Sequence, residues 1–169
     1  ILWCIGVILM VVAGMGKYGV VSSSGEYMND IISSMPKSLQ VMFGTASFDL
    51  SKASGFYGVI FSYLVLMATI HASMLGANII SKEERDKTAE FLMVKPILRN
   101  KVITSKLLAA FFNITILNII TLISSITIVE HYAKGEGITS DIVILMIGMF
   151  ILQLIFLTIG TGIAAISKN

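Results

Sequence analysis

Few residues in this chain could do chemistry. His71 and His131 are its only histidines, and Cys4 is its one cysteine. There is no Gly-x-x-x-x-Gly-Lys-Ser/Thr phosphate loop, no His-Glu-x-x-His and no Cys-x-x-Cys. No nucleophile, base and orienting group stand where they would form a catalytic set. A single cysteine makes no intrachain disulfide, and no metal site is expected. Two kinds of residue remain. Polar side chains are scattered through apolar stretches, and charges are concentrated in residues 82–106.

The scattered set includes Ser62, Thr69, His71, Ser73 and Asn78, then Asn113 to Thr127, then Gln153, Thr158 and Thr161. Polar groups in hydrocarbon need partners, so they should face other helices or a cavity. Asn118, Thr121 and Ser125 fall at i, i+3 and i+7, on one face of a helix. With His71 and Gln153 they are candidates for a substrate path. The simpler reading is hydrogen bonding between helices. His71 is the only ionisable residue well inside an apolar stretch. It is a proton or substrate site, or a side chain bonded to a neighbouring helix.

The elements that must position these residues are membrane spans. Hydrophobic residues make up 56% of the 169 and charged residues 13%, against roughly 25% charged in soluble domains. A bilayer core of about 30 Å takes roughly 20 apolar residues in a helix. Residues 58–80, 107–129 and 142–166 reach that length, and residues 1–15 fall short of it. The expected fold is an all-α polytopic transmembrane bundle with about four spans, the first truncated before Ile1. Residues 1–15 lack the positive flank of a signal peptide. Gly160 and Ala164 form a small-x-x-x-small pair that permits close helix approach. The connector 17–54 contains Met35-Pro36 and a semi-apolar piece through Phe43-Gly44. That piece reads as a short helix on the membrane surface or an ordered loop.

Charge sets the orientation. The loop 81–106 carries Lys82, Arg85, Lys87, Lys95, Arg99, Lys101 and Lys106, whereas the connector carries Lys17, Lys37 and Lys52 and the next loop only Lys134. By the positive-inside rule residues 81–106 are cytoplasmic, in a multi-pass protein of the plasma (inner) membrane. The net charge of +2 gives no reason to expect nucleic acid.

The cytoplasmic loop runs from Ser81 through Glu83, Glu84 and Lys87 to Phe91-Leu92-Met93, then Pro96 and Arg99. Its first half favours a helix, with Glu83 and Glu84 able to pair with Lys87. Pro96 ends that helix, and Asn100 is placed to cap the next. A solvated loop that only anchors topology is the plain reading. An apolar Phe-Leu-Met beside a charged helix is better explained by a docked partner.

These residues resemble the permease subunit of bacterial type-2 ABC transporters, an exporter-like family. Glu84, Thr88, Glu90, Leu92, Met93, Pro96, Ile97, Arg99 and Lys106 match its pattern between the second and third spans. Met35-Pro36, Phe43-Gly44, Asp49-Leu50, Gly55-Phe56-Tyr57 and Gly76-Ala77 resemble its preceding segment and second span. Lys87 departs from the pattern, where glycine is commoner. The resemblance covers residues 35–106 by motif and the remainder by hydropathy.

The resemblance implies a non-enzymatic transporter subunit, the first four of six spans, with two more beyond Asn169. It implies a second permease subunit, identical or similar, and separate ABC ATPase subunits holding ATP and Mg, with no cofactor on this chain. The cytoplasmic segment would be a coupling helix seated on the ATPase, with Glu84, Thr88, Glu90, Phe91, Leu92, Pro96 and Arg99 carrying the contact. ATP hydrolysis would then drive export. Two other classes fit a polytopic chain. A non-transporting sensor, immunity or scaffold protein would have no ATPase partner. An intramembrane enzyme or ion-coupled carrier would depend on His71 and not on residues 83–99. The substrate is not legible in the residues.

Overall fold

The computed structural model describes residues 1–19, 30, 33–42, 52–85, 99–133 and 137–166. Among these the chain is all-α, with no strand. It is a polytopic fold of α1 (Leu2–Gly16), α2 (Lys37–Met42), α3 (Ala53–Arg85), α4 (Arg99–Ala133) and α5 (Thr139–Ile166). The last three contain stretches long and apolar enough to cross a membrane, at Ala53–Ile79, Lys101–Ala133 and Thr139–Ile166. α1 is apolar but shorter.

Helices and apolar stretches do not end together. α3 continues past residue 80 to Arg85, and α4 begins at Arg99, ahead of the apolar stretch that starts at 107. Lys, Glu and Arg are good helix formers, so the hydrogen-bond ladder carries on where hydropathy stops. Asn100 therefore lies inside the first turn of α4 rather than capping it, because Arg99 is already helical. The piece after Pro36 is a helix of one and a half turns, α2. The Pro36 carbonyl accepts from the amides of Leu39 and Gln40, and the Gln40 side chain donates to the Met35 carbonyl. At the other end, Gly137 takes φ +62°, a left-handed conformation that glycine adopts without a Cβ penalty. Thr139 then donates to the Glu130 carboxylate, tying the start of α5 to α4.

The chain forms two compact units, and each long helix contributes a part to both. The first unit comprises Ile1–Leu66 and Ile119–Met146, the second Met67–Asn118 and Ile147–Asn169. In the first, buried residues recur at helical spacing: Val7, Val11 and Met15 on α1, Tyr57, Phe61 and Leu64 on α3, and Val129 and Ala133 on α4. Tyr18 packs on Phe56 and edge-on to Tyr132, at centroid separations of 5.6 and 6.3 Å. In the second, Ala72, Ile79, Ala110, Ile114 and Leu157 form one apolar cluster, flanked by Leu75, Leu107 and Phe150.

Candidate functional site

α3 and α5 come within backbone contact in the second unit. A Cβ on Gly76 would stand 2.3 Å from the Leu157 carbonyl oxygen, and one on Gly160 would stand 2.4 Å from the Ser73 carbonyl oxygen. Each glycine thus faces the other helix's main chain. Gly160 permits this approach on α5 and Gly76 on α3, where each leaves room for the opposing helix's main chain. Without a hydrophobic drive between helices in lipid, such close packing is the main source of association.

The five path candidates, His71, Asn118, Thr121, Ser125 and Gln153, are all buried, none more than 9% exposed. His71, Asn118 and Gln153 lie in the second unit, Thr121 and Ser125 in the first. The Asn118 amide nitrogen donates to the Gln153 carbonyl oxygen at 2.9 Å, joining α4 to α5, and among the described residues the Gln153 amide nitrogen meets no partner. In the first unit Ser125 neighbours the Tyr57 hydroxyl across α4 and α3. Among the described residues neither hydroxyl meets a partner at hydrogen-bond geometry. Tyr57 is almost wholly buried. Nothing in its spacing marks it as a member of this polar set; an aromatic near the start of a span reads as an interface anchor.

Several of the other span hydroxyls donate within their own helix, and Thr161 does so while standing beside Gly76 of α3. Thr127 and Thr158 are exposed and Thr115 is half-buried, and each donates to a carbonyl three or four residues back in its own helix. Ser62 does the same to Gly58, Ser124 to Thr121 and Thr161 to Leu157. A hydroxyl is short enough to use its own helix, whereas the amides of Asn118 and Gln153 reach across.

At the helix ends next to residues 86–98, the Lys106 ammonium on α4 donates to the Ile79 carbonyl on α3 at 2.9 Å. Thr88, Glu90, Phe91, Leu92 and Pro96 of the expected coupling segment lie outside the described residues. Glu84 and Arg99 are helical in α3 and α4, but their side chains also lie outside. Among the described residues no three His, Cys, Asp or Glu side chains cluster as metal ligands would. The buried polar side chains among the described residues are neutral hydrogen-bonding groups and one histidine.

A model of the ABC-2 family transporter protein matches the chain over residues 1–169. The chain belongs to this family. It is an ABC-2 permease subunit, a multi-pass membrane protein of transport function and not itself the catalytic component. No curated protein and no solved structure matches it. The match reaches well beyond residues 35–106, where the motif resemblance lies, and takes in α1 and α5. An ABC-2 permease implies an ABC ATPase partner in general terms.

Proposed function

We propose that this chain is the membrane subunit of an ATP-driven exporter in the plasma membrane, with residues 81–106 on the cytoplasmic side. The observation that carries this reading is the family match along the whole chain. The absence of a phosphate loop and the excess of Lys and Arg in residues 81–106 support it. The ABC-2 permease pairs with a second permease, identical or similar, and with ATPase subunits that hold ATP and Mg. Glu84, Thr88, Glu90, Phe91, Leu92, Pro96 and Arg99 form the docking segment. Phe91 and Leu92 bury in a groove of the ATPase, while Glu90 and Arg99 fix its orientation. The long helices α3 and α4 leave that segment on either side, so closure of the ATPase pair is delivered to the membrane half through them. His71, Asn118, Thr121, Ser125 and Gln153 contribute polar contacts along the route of the exported molecule.

Mild-detergent purification of the full-length protein from its native host, with mass spectrometry of what accompanies it, tests this. A stoichiometric ATPase is expected, and it should be lost in Phe91→Ala/Arg99→Glu while membrane insertion persists. A chain that purifies alone and shows no ATP-dependent activity on reconstitution would overturn the reading.

A further inference from the structure

Lys106 makes a contact that membrane anchoring does not require. A lysine at a helix end ordinarily extends its ammonium into the headgroup layer. Here the half-buried side chain turns instead to a main-chain carbonyl of another helix, Ile79 on α3, at 2.9 Å. A backbone carbonyl has two lone pairs, so it can take this donor and still serve its own helix, which continues unbroken to Arg85. The bond is charge-assisted and part-buried. Apolar packing reinforces it at the same level. The Ile79 side chain belongs to the buried cluster with Ala72, Ala110, Ile114 and Leu157, and Leu107 packs against that cluster. Both bonded groups stand roughly two turns inside the helix ends that flank residues 86–98.

Two long helices joined by a connecting segment can respond to a push on that segment by splaying. A tie two turns in removes that freedom and turns the push into a joint displacement. We propose that Lys106 is a positioning residue for energy coupling: through its bond to the Ile79 carbonyl it makes these ends of α3 and α4 move as one piece. This rests on the permease reading above for what does the pushing, but the tie itself can be tested without it.

The test uses the full-length protein in nanodiscs, with Cys4→Ser and with spin labels on Asn78→Cys and Ser105→Cys, both exposed positions. Distances are measured for the protein alone and for its complex with the ATPase trapped by ATP and orthovanadate. A narrow distribution is expected that trapping leaves unchanged. Lys106→Met, which keeps the apolar stem, should lose that narrow distribution, and Lys106→Arg should restore it. If Lys106→Met does not accumulate, Lys106→Gln takes its place. A distribution as narrow in the Met or Gln variant as in the native protein overturns the proposal, as does a native distance that shifts on trapping. If no ATPase binds, the transport reading fails instead, and the distributions without it still decide whether Lys106 ties the helices.

Discussion

Glycine does different work in the two units. In the second, Gly76 and Gly160 each meet the main chain of the opposing helix, and neither carbonyl there can retreat without bending its helix. In the first, Gly14 of α1 faces α3, but what a Cβ would meet is the Ile60 side chain, its Cδ1 at 2.7 Å. A terminal methyl can change rotamer; a helix backbone cannot. The second unit also holds an amide pair bonded between helices, Asn118 to Gln153. The backbone approaches at Gly76 and Gly160 thus tolerate little change, whereas the approach at Gly14 can adjust.

Breaking the backbone contact should have the largest effect. Gly76→Ala and Gly160→Ala are each expected to destabilise by about 2–3 kcal/mol, the upper range for forcing atoms into a packed interior. Gly14→Ala gains helix propensity and displaces only the Ile60 tip, so a change within about 1 kcal/mol of native is expected. Reversible unfolding in bicelles would measure all three. Equal losses at positions 14 and 76 would erase the distinction between the units.

The amide pair should follow. Asn118→Leu leaves the Gln153 carbonyl oxygen buried without its donor, at a cost of about 1–2 kcal/mol. Gln153→Leu should cost a similar amount. Asn118→Leu/Gln153→Leu removes both polar groups and should recover much of the loss, so the double-mutant cycle is strongly non-additive. An additive cycle would mean that the bond of 2.9 Å contributes nothing.

How far all this was legible in the residues depends on the kind of contact. Apolar length placed the three long helices because hydrocarbon thickness fixes a minimum run, but it could not place their ends, where Ser81 to Arg85 prolong α3 beyond the apolar run. The Gly160–Ala164 pair was readable as a close-approach signal, yet its partner, the Ser73 carbonyl, was not, since a main-chain acceptor has no sequence signature. The grouping of Asn118 with Thr121 and Ser125 followed from helical spacing, but spacing did not show that Asn118 bonds Gln153 while Ser125 stands beside Tyr57. That Thr115, Thr127 and Thr158 are satisfied within their own turns was not legible either, since a main-chain acceptor leaves no mark in the residues. Lys106 was visible as a motif position and silent about its bond to Ile79.

The smallest effect is expected where a buried polar atom already lacks a bond. In water both the Tyr57 and Ser125 hydroxyls would be hydrogen-bonded, so burying them unbonded costs free energy on insertion and folding. Removing such a group removes the cost together with the group. Ser125→Ala is therefore expected to shift stability by no more than about 0.5 kcal/mol, in the stabilising direction, and Tyr57→Phe to behave alike. This is opposite in sign to Asn118→Leu, although all three substitutions delete a buried polar group from the same helical bundle. A loss of about 1 kcal/mol or more in Ser125→Ala would show that the two hydroxyls are bonded after all, to each other or through a water. The contrast between the bonded amide pair and the two hydroxyls would then fall, and the glycine contacts would carry the comparison alone.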